Sequence, residues 1–258
     1  MSHQPFANSS STCSLPKASF GIFAALLVAG SVAPSMFADD VADNNLPDIQ
    51  VFKKLKENYA SMATYEDEGR VVITMNESLV IHFSTRLART NFYLIEWTPA
   101  GKSSGSAWST KGQAVWSSGA GDFLQTEAGL QSEGTREIAL AQAAVFAGGA
   151  TRTVPGVFFR LQWEDQPLDQ LVFSMQRQAD ENVEKINCYV FTRGAMGTTN
   201  TLWIGKKDFL IHQVQTAATV ESMPTFIFTE THANIVLNHG FSRPDFVPEF
   251  PLLPSAED

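Results

Sequence analysis

Between Leu46 and Met62 the apolar residues Ile49, Phe52, Leu55, Tyr59 and Met62 recur every three or four positions. That is the stripe of an amphipathic helix, and Pro47 and Asp48 suit its first turn. From Gly69 the period drops to two. Val71, Ile73 and Met75 alternate, Asn76 and Glu77 turn the chain, and Leu79, Ile81 and Phe83 alternate with Val80, His82 and Ser84. A third run spans Asn91 to Trp97, and together these predict a β-meander. Thr98 to Thr110 and Gly119 to Gly134 read as polar loops on either side of a strand at Gln113 to Ser117. Thr135-Arg136-Glu137 then opens an alanine-dense helix, Ile138 to Ala147, closed by Gly148-Gly149. Pro167 to Met175 reads as one or two further helical turns. Period two returns in Lys185 to Arg193, Thr201 to Lys206, Phe209 to Thr216 and Thr225 to Leu237.

Helix, strands, central helices and strands, without βαβ alternation, predict an α+β fold built on an antiparallel sheet. The hairpin around Gly205-Lys206-Lys207-Asp208 poses a question. Leu202 and Ile204 point to one face and Trp203 to the other, while Phe209 and Ile211 oppose Leu210 and Val214. A strand at the surface of a sheet should be apolar on one side only. Something must cover the second face.

The N-terminus changes the picture of where the chain works. The apolar block Phe20 to Phe37 follows a polar leader carrying Lys17 and precedes Asp39-Asp40, as in a secretory signal cut after Ala38. An uncleaved anchor is the alternative, although Gly30-Ser31 and Pro34 shorten the run below the ~20 residues that a spanning helix needs. The expected organisation is a signal peptide over 1–38, a linker over 39–45, one domain over 46–243 and a Pro-rich tail over 244–258. The expected location is outside the cytoplasm, in the periplasm. The formal net charge is −9 over the 258 residues, and loss of Lys17 leaves 17 basic against 27 acidic residues, or −10. That balance excludes a nucleic-acid surface, which needs a basic stripe.

The chemistry-bearing residues are sparse. Cys188 is the only cysteine after the signal, so neither a disulfide nor a cysteine metal site is open to the mature chain. Flanked by Ile186, Tyr189 and Phe191, it reads as a small buried hydrophobe. Gly101-Lys102-Ser103-Ser104-Gly105 matches G-x-S-x-G but lacks the strand before and the helix after that would make a nucleophile elbow. An exported hydrolase using Ser103 is the weakest of the readings. His82, His212 and His232 fall in separate strands with no ligand spacing, so no metal and no cofactor are expected. Aromatics are another matter: the 19 Phe and 5 Trp concentrate in strands. Phe83, Phe92, Leu94, Trp116, Ile211, Phe226 and Phe228 are the candidate lining of an apolar cavity between a curved sheet and the helices. A plain packed core is the other reading of the same residues. Gly148 and Gly149 are the candidate hinge of a lid formed by Ala139 to Pro155, a segment that also suits a packed helix.

Several strings carry a resemblance in order along 46–240: NYASMATYEDEGRVV, HFSTRLARTNFYLIEW, VWSSG, IALAQAAVFAGGATRTVPGVF, CYVF and TLWIGKKDFLIHQV. Together they resemble periplasmic proteins of the LolA/LolB-like superfamily. The resemblance implies an incomplete antiparallel β-barrel, a curved sheet with helices packed on its concave side. It also implies a hydrophobic cavity that shields lipid or lipoprotein acyl chains. In the superfamily's carriers an arginine of the early strands holds the lid, and Arg86 or Arg89 falls in the equivalent region. Other members sense envelope proteins, so a protein-interaction or sensing module is the alternative function.

Overall fold

The computed structural model describes residues 46–100, 113–117, 121–126, 129–160, 174–195, 197–219 and 225–248. Two meanders make one sheet. The first comprises β1 (Thr64–Thr74), β2 (Ser78–Ala88), β3 (Tyr93–Ala100), β4 (Gln113–Ser117), β5 (Asp122–Thr126) and β6 (Gly129–Glu133). The second comprises β7 (Gln176–Arg177), β8 (Glu181–Val183), β9 (Ile186–Ala195), β10 (Thr198–Gly205), β11 (Ile211–Ala218) and β12 (Phe226–Leu237). The order is β6-β5-β4-β3-β2-β1-β12-β11-β10-β9-β7, with β8 paired to β9 and every pairing antiparallel. The first and last long strands thus meet at a central seam, and β6 and β7 end the sheet without pairing to each other.

Among the described residues three helices cover the concave side: α1 (Asp48–Ser61), α2 (Arg136–Ala147) and α3 (Thr153–Phe159). The predicted stripe of α1 is realised by Phe52, Leu55 and Tyr59, which are buried together with Val51, whereas Ile49 is exposed. Alanine lets α2 lie close to the sheet, through Ala139, Ala143 and Ala147 beside Leu140. Thr135 caps it by accepting from Ile138 N at 3.3 Å, and Gly148 ends it at φ +65°, where a side chain would be strained. This is the unclosed barrel with helices on its concave face that the resemblance implies.

The main core takes the inward residues of successive strands, among them Val71, Ile81, Phe83, Ile95, Trp97, Val115, Leu124, Ile204 and Phe228. The opposite face carries two smaller clusters. Ala88, Leu94, Ala114 and Trp116 are covered by Phe241 and Phe246 of the C-terminal segment, where Arg243–Phe246 forms a 3₁₀ turn. Val183, Cys188, Val190 and Trp203 form the other, with Trp203 Nε1 donating to Glu181 Oε2 at 2.8 Å. Of the β10–β11 hairpin only Trp203 lies on that second face, beside Val183 of β8. Leu202, Ile204, Phe209, Leu210, Ile211 and Val214 all pack on the main core. The register shifts between Trp203 and Ile204, so the expected opposition of Phe209 and Ile211 to Leu210 and Val214 is corrected.

Two further expectations need correction. Within the expected loop Gly119 to Gly134, Asp122–Thr126 and Gly129–Glu133 are strands β5 and β6, whose few apolar residues (Phe123, Leu124, Leu130) are too sparse to display a period of two. Thr98 to Ala100 likewise belong to β3. The signal segment, Ser103 and most of Pro167 to Met175 lie outside the described residues.

Candidate functional site

Polar contacts tie the helices to the sheet at several points. Asn58 of α1 donates to Asp208 O, Tyr59 OH accepts from Ile211 N at 3.3 Å, and two further residues hold helix ends. The first is Arg89, directly after β2. Neither α1 nor α3 carries a basic residue in its last turn, so the carbonyls at both C-termini lack a cation of their own helix. Arg89 supplies it. Its Nε donates to Met62 O at 3.1 Å, Nη2 donates to Tyr59 O and Nη1 to Phe158 O, while the guanidinium lies 4.2 Å from the centre of the Phe158 ring. Burial, and secondly the nearby charge of Arg160, pull the Arg89 pKa below its usual value. Arg86 does different work. It pairs with Glu66 at 3.3 Å and donates to Asp245 O at 3.2 Å, fastening the C-terminal turn to the outer face.

The second tie is Thr153, the first residue of α3, whose Oγ1 donates to Glu230 Oε2 at 2.7 Å. Glu230 belongs to a buried polar cluster on the β1–β12 seam, inside an otherwise apolar face. His232 Nδ1 lies 2.6 Å from Asp67 Oδ2, its Nε2 lies 2.9 Å from Glu230 Oε1, and Tyr65 OH donates to Asp67 Oδ2 at 2.7 Å. Asp67, Glu230 and His232 are 1%, 0% and 3% exposed. Burial by itself lowers the His232 pKa, but the attraction and hydrogen bond of Asp67, with the ion pair to Glu230, more than offset it and push it up to about 10. Burial beside Asp67 drives the Tyr65 hydroxyl well above its ordinary value.

Local backbone devices create this cluster. Between Glu66 and Glu68 the register of β12 gains a residue, with Asn234 in the left-handed region at φ 52°. Gly69 is paired with Phe83 on one side and His232 on the other, and a Cβ there would run into the Phe83 ring and the carbonyl of Thr231. Its bareness lets the Phe83 and His232 rings meet edge to face, 5.5 Å apart.

The seven residues expected to line one cavity fall into two groups. Phe83, Ile211, Phe226 and Phe228 belong to the concave core, whereas Phe92, Leu94 and Trp116 sit in the outer cluster. The reason is strand parity: Leu94 and Trp116 alternate with the inward Tyr93, Ile95 and Val115. Sequence reasoning missed Asp67 and Glu230, which only the seam pairing of distant strands brings together. An open cleft of about 460 Å³ adjoins the outer group, lined by Phe92, Phe241 and Phe246 with Arg89, His239 and Arg243. Burial pushes the Cys188 thiol up to about 11, so it behaves as the small hydrophobe expected. Among the described residues no group of His, Cys, Asp or Glu is arranged to hold a metal ion, and no helix is long and apolar enough to cross a membrane.

No family model and no curated protein matches the chain. Solved structures do. A LolA superfamily protein from Nitrosomonas europaea is 8% identical, with 80% of this chain and 99% of that one covered at a TM-score of 0.35. LprF from Mycobacterium bovis is 11% identical, with 76% and 95% covered at 0.40. The Pseudomonas aeruginosa MucA/MucB complex structure is 9% identical, with 78% of this chain and 60% of that one covered at 0.42. At scores this low the reading of the site rests on its own geometry.

Proposed function

We propose that this is an exported, non-enzymatic binding protein that takes an apolar ligand, a lipid or lipoprotein acyl chain, between its sheet and its helices. One observation carries the reading. The helical cover over an apolar concave face is fastened at its ends by polar ties, with Arg89 holding the C-termini of both α1 and α3. Such a fastening releases without unpacking the sheet. Moving an acyl chain from water onto that face is worth several kcal/mol at roughly 25 cal/mol per Å².

The test is uptake of a fluorescent acyl probe by the purified mature chain and by Arg89→Met. A hydrogen bond to a charged group is worth about 1.5–3 kcal/mol, so the variant should take up the probe about tenfold faster or more. No binding by either protein refutes the carrier reading.

A second reading, a protein-interaction or sensing module, has its own observation. Helix α2 turns Ile138, Val145 and Phe146 to solvent, Val145 at 74% exposure, which is an apolar stripe suited to a protein partner in the cell envelope. Absence of probe uptake together with a partner lost on Val145→Asp would favour it.

A further inference from the structure

We infer that the ligand's head is a hydrogen-bond donor without negative charge, of the hydroxyl class, seated against Asp67 and Glu230 on the seam; this rests on the acyl-binding reading above. The cluster is too heavily built to be incidental packing. A register shift in β12, a side-chain-free Gly69, a buried histidine and a helix-borne threonine converge on one spot of an apolar face.

Its hydrogen bonding is lopsided. Asp67 Oδ2 receives both Tyr65 OH and His232 Nδ1, and Glu230 Oε2 receives Thr153. Asp67 Oδ1 has no donor, and Glu230 Oε1 and His232 Nε2 lie close without the alignment of a hydrogen bond. Buried carboxylate oxygens short of donors are costly to leave so, and they favour whatever brings one. The helix-side donor to Glu230 is also the removable one. When α3 lifts, Thr153 leaves Glu230 Oε2, and a ligand hydroxyl can replace it in kind. A ligand with an acceptor-only head cannot replace it, and a site built for a donor discriminates against the analogue that lacks one. A carboxylate head would meet two carboxylates whose charge the single protonated His232 between them only half balances.

The experiment compares dodecanol, dodecyl methyl ether and dodecanoate as competitors of the acyl probe on the full mature chain at pH 7.5. Dodecanol should displace the probe at a concentration at least tenfold lower than the ether, which differs only in the missing donor, and dodecanoate should be weakest. Glu230→Gln should narrow the gap between dodecanol and dodecanoate. Equal potency of alcohol and ether, or dodecanoate the strongest, overturns the head-group assignment while leaving acyl binding intact. Failure of the probe itself to bind overturns both. The wild-type series decides the matter even if Glu230→Gln does not fold.

Discussion

His232 holds its position by bridging carboxylates from two strands, and its proton is part of the fold. Because its folded pKa is raised to about 10 from an ordinary 6.5, the contribution is fully present below about 6.5. It is lost as pH climbs toward 10, since there the unfolded chain no longer binds the proton that the folded chain retains. Urea unfolding should therefore show stability falling between pH 7 and 10, and His232→Gln should flatten that slope. A slope unchanged in the variant would assign it elsewhere. At this scale the chain disclosed little in advance. The Asp208–His212 contact at 2.9 Å spans four residues and is at least local, whereas Asp67 and His232 stand 165 positions apart. Only the seam register makes those two neighbours, and periodicity carries no register between distant strands.

Elements with a long apolar period were legible: α1, α2, β2 and β12 fall within a few residues of their expected spans. Those without one were not. Helix α3 has seven residues, includes Pro155 and Gly156, and draws its burial from α1 and the main core around it, so nothing in its own pattern announces it. β5 and β6 are placed by pairing with β4 and with each other. The glycines after α2 were legible as a helix stop, but their surroundings were not. Gly148 sits at φ +65° with a Cβ position 3.0 Å from Val71 Cγ1, and Gly149 at φ +98° with one 2.8 Å from Phe228 Cζ. Both are pressed onto the sheet. Alanine at either should lower the melting temperature, Gly149→Ala the more, by about 2 kcal/mol or several degrees. As a hinge the pair remains a proposal, and alanine variants would mix any kinetic effect with this packing loss. Melting temperatures unaffected by both substitutions would show that the segment is not packed as described.

At the scale of the whole molecule, the β1–β12 seam is the only strand pairing among the described residues that joins the two meanders. The polar cluster, the register shift and the Phe83–Gly69–His232 contact all lie on it, so the part of the sheet that would recognise a ligand head is also the part that makes one cooperative unit of two halves. Gly69→Val tests this directly. A side chain there has no room between the Phe83 ring and the Thr231 carbonyl, and displacing either costs about 1–3 kcal/mol. Because each half borrows its last neighbour from the other, the loss should not stay local. Native-state hydrogen exchange should show protection falling together in β2–β4 and in β9–β11, with a single unfolding transition kept at lower denaturant. Loss confined to β1 and β12, with the flanking strands as protected as before, would mean that the halves stand independently and that the seam holds the polar cluster alone.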